Sequence, residues 1–121
     1  MNKKIVFIQY PPCSTCKKAK TWLENNSIDF ESRHIVEEKL TESELKNIIF
    51  KSNLPLKRFF NTSGVLYREM NLKDKLPTMS EDEMIKILAT NGKLVKRPII
   101  VSEKGVLVGF KVDEWESFFG K

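Results

Sequence analysis

The sequence predicts an α/β fold: a mixed four-stranded sheet built from a β-α-β half and a β-β-α half, with a helical insertion over about residues 41–92 between them. Three observations carry this. "KIVFIQY" (4–10) is a continuous apolar, β-branched run, as expected of a strand covered on both faces. "PIIVS" and "VLVGF" near the other end are two short strands joined by "EKG", a hairpin signal with Gly105 at the turn. Between these ends the apolar residues recur at helical rather than alternating spacing.

Taken in order, the first strand is stopped by Pro11-Pro12, and "STCKKAKTWLENN" follows as a helix with Ser14 or Thr15 as N-cap and Ala19, Trp22 and Leu23 on one face. "SIDFESRHIV" alternates through Ile28, Phe30 and His34-Ile35-Val36 and reads as a second strand. "LTESELKNIIFKS" pairs Thr41 with Glu44 in a capping-box pattern and sets Leu45, Ile48 and Ile49 on one face of a helix. "LKRFF" and "SGVLYREMNL" read as short helices around a Gly-containing break, and "SEDEMIKILATNG" as a capped helix stopping at Gly92. After the hairpin, "DEWESFF" is a last helix with Asp113 as its cap. No repeat, linker or low-complexity stretch interrupts the order, so residues 1–121 are expected to form a single domain.

The totals narrow the function classes. A chain of 121 residues can bury a core without a covalent staple. Cys13 and Cys16 are the only cysteines, and His34 is the only histidine, so a four-ligand zinc site is not available. The apolar run after the basic start "MNKK" is too short for a secretory signal, and no stretch approaches a membrane span. The chain is therefore expected to be cytoplasmic, where thiols are kept reduced and a lone C-x-x-C is more often catalytic than structural. The formal charge of +5 is scattered among acidic residues, with no basic stripe and interleaved aromatics of the kind that binds nucleic acid directly.

"PPCSTCKK" places both thiols where a strand turns into a helix. A cysteine just before a helix aims its sulfur at unpaired backbone N–H groups and the positive end of the helix dipole, which favours thiolate over thiol. Cys13 has that position, and Lys17 and Lys18 are expected to add positive potential; the loop residues Ser14, Thr15 and Lys17 would welcome an anion. Cys16, three residues on, shares a face with Cys13 and is the expected resolving thiol. Cys13 would attack an electrophilic sulfur or oxyanion, and Cys16 would displace the adduct and leave an internal, redox-active disulfide. In "KLVKRPIIV", Arg97-Pro98 stands at a strand entrance, where proline is tolerated for ordinary reasons. In thioredoxin-like sheets the proline at that place is commonly cis and faces the reactive cysteine; Arg97 would then project beside Cys13 and hold an oxyanion.

"PPCSTCKKAKTWLENNSIDF", "RFFNTSGVLYREMNLKDKLPTMSEDE" and "NGKLVKRPIIV…VLVGF" together resemble the ArsC family over nearly the whole chain. That family takes in glutaredoxin-dependent arsenate reductases, the transcriptional regulator Spx and a branch of small YffB-like or YusI-like proteins, to which these segments look closest. The resemblance implies a thioredoxin-like fold with a helical insertion, a nucleophile matching Cys13 and an oxyanion-binding arginine matching Arg97. Two further arginines of the arsenate reductases fall near Asn61 and Phe110 here. An arsenate dianion in a dry pocket needs several charge-assisted donors, and the sequence offers one guanidinium plus helix amides. Asn61 and Thr62 could give neutral hydrogen bonds to a substrate such as glutathione or a peptide, or cap a helix beginning near Ser63.

Two functions therefore compete. One is a thiol oxidoreductase with no bound cofactor or metal, using glutathione as co-substrate and glutathione, glutaredoxin or thioredoxin as reductant. The other is a Spx-like redox switch that docks on the RNA polymerase α subunit. A C-x-x-C pair is equally expected under both.

Overall fold

The structure is a computed structural model in which residues 4–121 are described; the basic start read from the sequence thus lies partly outside the described residues. By backbone contacts the chain divides into two compact units, 4–34 with 97–121, and 35–96.

The first unit holds strands β1 (Val6–Gln9), β2 (Glu31–His34), β3 (Ile99–Ser102) and β4 (Gly105–Val108) and the first and last helices, α1 (Ser14–Asn25) and α6 (Val112–Phe119), the four helices between them belonging to the second unit. The sheet order is β2-β1-β3-β4, with β1 parallel to β2 and antiparallel to β3, and β3 antiparallel to β4. This mixed sheet, β-α-β followed by β-β-α, is the thioredoxin-like arrangement. Phe7 and Ile8 are consecutive and both buried, so both faces of β1 are covered.

One face of the sheet carries a core of Phe7, Ala19, Leu23, Ile100 and Trp115, ringed by Trp22, Phe30, Phe110 and Phe119 among others. Each fully buried large side chain there is worth about 1.5–3 kcal/mol of transfer free energy. The Trp115 indole N–H is satisfied by the Gly109 carbonyl at 3.1 Å, so its polar atom does not oppose burial.

Several local expectations change. β2 is shorter than the alternating run suggested: Ser27 turns the chain in the left-handed region (φ 56°), and Phe30 packs edge-on against Phe7 (5.3 Å) before pairing begins at Glu31. Ile28 and Phe30 are thus partly buried residues of the approach to the strand that pack against the core. Neither Ser14 nor Thr15 caps α1; Cys13 is the N-cap residue. Asp113 is not the cap of α6 either, since Lys111 occupies that position, and Asp113 and Glu114 sit in the first turn, where they complement the dipole. The hairpin turns on Glu103-Lys104, with Gly105 already paired to Ser102 at a φ of +155° that favours glycine.

The second unit contains α2 (Glu42–Ser52), α3 (Val65–Glu69), α4 (Leu72–Lys75) and α5 (Glu81–Thr90), with one-turn helices at Leu56–Phe59, Leu76–Thr78 and Gly92–Leu94. α2 and α5 pack on each other through buried Leu45, Ile48, Ile85 and Leu88, and both start with the reciprocal capping box that "TESE" and "SEDE" spell, Thr41 with Glu44 and Ser80 with Glu83. Gly92 does not end α5 as a left-handed stop. It opens the next turn, and a Cβ there would stand 1.9 Å from the Ile35 carbonyl oxygen, so the residue is glycine for close approach. A short backbone ladder ties the segment after Phe59 to the one after Leu94: Asn61 N–H donates to Leu94 O (2.8 Å), Lys96 N–H to Phe59 O (2.8 Å), and Phe60 bridges Val95.

Candidate active site

The site begins where β1 ends. Pro11 and Pro12 cannot continue the strand, and the chain turns so that Cys13 N–H donates to Tyr10 O at 2.9 Å. The Cys13 carbonyl then accepts the first helical bond, from Lys17 N–H at 3.1 Å, which fixes Cys13 as the N-cap of α1. With β-region dihedrals and no side-chain capping bond of its own, Cys13 leaves its sulfur beside the unpaired amides of the first turn. Both thiols are free; Cys13 is half-buried and Cys16 fully buried.

The two sulfurs have opposite environments. Burial pushes the Cys13 thiol up, but the Cys16 amide and thiol, the Arg97 guanidinium and the Thr15 amide outweigh it and hold Cys13 below the ordinary thiol value. Cys16 is pushed up to about 12, first by burial and then by its hydrogen bond to Cys13 and the charge there, against the opposing effects of the Tyr10 amide and Arg97. Cys13 is accordingly the more acidic thiol of the pair. Ser14 and Thr15 are exposed in the first turn. Lys17 and Lys18 are exposed too, and neither is among the groups that lower Cys13; the cation that does so is Arg97.

Arg97 arrives from the strand entrance. The Arg97–Pro98 peptide bond is cis, Pro98 is buried, and its carbonyl accepts from Gly109 N–H at 2.8 Å. The guanidinium lies over the Tyr10 ring, 5.0 Å from its centroid, and that ring in turn meets His34 edge-on at 5.8 Å. Tyr10 also gives its backbone N–H to Cys16 Sγ at 3.5 Å. Sequence reasoning missed Tyr10, although an aromatic residue at the end of a strand and just before "PPC" was a usable signal.

The structure therefore brings Cys13, Cys16, Arg97 and Tyr10 together in the first unit, whereas Asn61 and Thr62 belong to the second. Asn61 and Thr62 do not cap the following helix, whose N-cap is Gly64 without a side-chain bond. Asn61 instead reaches the Lys93 carbonyl with its Nδ2 (3.4 Å) and accepts from Ser63 Oγ (3.4 Å). Phe110 packs edge-on against Trp115 at 4.8 Å, as part of the aromatic cluster. Among the described residues no group of three or more His, Cys, Asp or Glu could hold a metal ion, and no helix is long and apolar enough to cross a membrane.

Known proteins resemble this chain over most of its length. The chain is 50% identical over 112 residues to the YusI protein of Bacillus subtilis, covering 93% of this chain and 95% of that one. It is 32% identical over 109 residues to the global transcriptional regulator Spx of Enterococcus faecalis, covering 89% and 80%. A crystal structure of an ArsC family related protein from Bacteroides fragilis superposes with a TM-score of 0.92 at 59% identity, covering 95% of this chain and 97% of that one. The model of the ArsC family matches residues 8–118, a span that takes in both thiols and Arg97-Pro98, and the chain belongs to that family.

Proposed function

We infer that the protein is a cytoplasmic thiol-disulfide oxidoreductase in which Cys13 is the nucleophile, Cys16 the resolving thiol and Arg97 the group that holds the thiolate and an anionic part of the substrate. The observation that carries this reading is the placement of the two thiols one helical turn apart, Cys13 half-buried at the N-cap of α1 and Cys16 fully buried behind it, with Arg97 acting on Cys13.

In the first step the Cys13 thiolate attacks one sulfur of a substrate disulfide; that S–S bond breaks, a Cys13 mixed disulfide forms, and one substrate thiolate leaves. Forming the mixed disulfide removes the negative charge on Cys13 that helps keep Cys16 protonated. Cys16 then loses its proton and attacks the Cys13 sulfur, expelling the second substrate thiol and leaving a Cys13–Cys16 disulfide. The substrate has gained two electrons and the pair has lost them. Glutathione, or a dithiol protein such as glutaredoxin or thioredoxin, returns them by the same exchange in reverse. Arsenate is a poor fit, because Arg97 is a single guanidinium and Phe110, near the place of a second arginine in the reductases, is an aromatic packed on Trp115.

The test is intact-mass analysis after incubation with glutathione disulfide, run beside an arsenate-reduction assay with glutathione and glutaredoxin. Wild type should lose two hydrogens, Cys16→Ser should hold one glutathione, Cys13→Ser should hold none, and arsenate should not turn over. Trapping on Cys16 instead of Cys13 would overturn the assignment. The identity with Spx motivates a parallel pull-down with RNA polymerase α subunit; redox-dependent capture without any mixed disulfide would favour a regulator over an enzyme.

A further inference from the structure

The unit formed by residues 35–96 has a cavity of about 400 Å³ lined by Pro55, Lys57, Arg58, Phe60, Thr62 and Lys96. Three of these six are cations and none is acidic. Lys57, Arg58 and Lys96 make no ion pair with any described residue, whereas Lys4 and Lys46 do find carboxylates, Glu31 and Asp82. The lining holds three positive charges and no negative one, and a cleft of one sign focuses its field on its contents.

The backbone segments that carry the cations are tied to each other. Lys57 and Arg58 lie on the one-turn helix Leu56–Phe59, and Lys96 follows the segment stapled to it by the Phe60–Val95 bridge and the Lys96 N–H bond to Phe59 O at 2.8 Å. Cations carried on two backbone segments that are tied together suit a ligand with more than one anionic group. Pro55 and Phe60 supply an apolar wall for its body, and Thr62 contributes a hydroxyl. The volume falls within the range of small-molecule sites.

We propose that this cavity binds a small organic oligoanion, a compact body carrying two or more carboxylate or phosphate groups. The site contains neither thiol and does not depend on the redox reading. Two unreactive probes separate the sources of the shared chemistry: S-methylglutathione, with peptide carboxylates and no free thiol, and ADP, with phosphates. Each is titrated into the ¹⁵N-labelled full chain while amide shifts are followed. At least one should saturate with a dissociation constant below about 1 mM, with the largest shifts among residues 57–62 and at Lys96. Arg58→Gln and Lys96→Gln should each weaken it about fivefold, the worth of one exposed charge contact at about 4 Å. Lys73→Gln, an exposed cation on α4 that does not line the cavity, should leave it unchanged. Saturation by S-methylglutathione alone identifies carboxylates, and by ADP alone phosphates. Saturation by neither, shifts centred elsewhere, or equal weakening by Lys73→Gln would overturn the proposal; unchanged spectra of the variants away from the cavity confirm that they fold.

Discussion

The guanidinium of Arg97 stacks over the ring of Tyr10, 5.0 Å from its centroid, while the Tyr10 amide donates to Cys16 Sγ at 3.5 Å. One residue at the end of β1 thus touches both the cation that holds Cys13 down and the thiol that is pushed up. Its ring limits where Arg97 can go, and its backbone limits where Cys16 can go.

Removing the cation should raise the Cys13 pKa. Arg97→Gln loses both the charge and the hydrogen bond to the sulfur, and Tyr10→Leu loses only the ring that orients the guanidinium, so the first variant should shift Cys13 more than the second. Tyr10→Phe keeps the ring and should behave as wild type. Thiolate absorbance against pH, measured in a Cys16→Ser background to isolate Cys13, gives the comparison.

The raised Cys16 pKa makes a stability prediction with a definite sign. In the unfolded chain Cys16 ionises near the reference of about 8.5, whereas in the fold it keeps its proton up to about 12. Between those values the native state binds more protons than the unfolded one, so this contribution is fully present below about pH 8.5 and is lost as pH rises through the folded value. Cys13, held down, acts in the opposite sense: its contribution is present above the unfolded value and lost as pH falls through its folded pKa. Urea midpoints measured from pH 8 to 11 should fall less steeply for Cys16→Ala than for wild type.

Gly92→Ala should destabilise toward the upper end of the roughly 1–3 kcal/mol typical of overpacking, because the new Cβ meets backbone, the Ile35 carbonyl, which cannot rotate away. Thermal denaturation of the purified variant checks this, and a near-wild-type midpoint would contradict the close approach.

Trp115→Phe should cost about 1–3 kcal/mol by leaving the Gly109 carbonyl without its indole donor, and Trp115→Ala about 3–5 kcal/mol by opening a cavity in the core. Chemical denaturation of both variants measures the difference.

The sheet and the capped helices were legible because their signals are local. The apolar run at β1, the hairpin run at β3–β4 and the two capping boxes each specify an element from neighbouring residues alone. What misled were positions where tertiary packing overrides the pattern. Phe30 alternates like a strand residue but is drawn onto Phe7 ahead of the pairing. Ser14, Thr15 and Asp113 are good cap residues that stand within the first turn, one or two places past the caps Cys13 and Lys111. At the site, Cys13, Cys16 and Arg97-Pro98 could be read from motif and spacing. The cis geometry of Pro98 and the part of Tyr10 could not, because they depend on the approach of β1 to the start of β3, more than eighty residues away in the chain. The lysines of "CKK" looked like the source of positive potential, yet the cation acting on Cys13 comes from that distant segment.

Two thiols three residues apart differ in acidity, with the N-cap cysteine the more acidic. Rates of alkylation by iodoacetamide across pH, on Cys16→Ser and Cys13→Ser proteins, test it directly. Cys13 should titrate below the reference of about 8.5, while Cys16 should stay almost unreactive until strongly alkaline pH. Two coincident profiles near the reference value would contradict it.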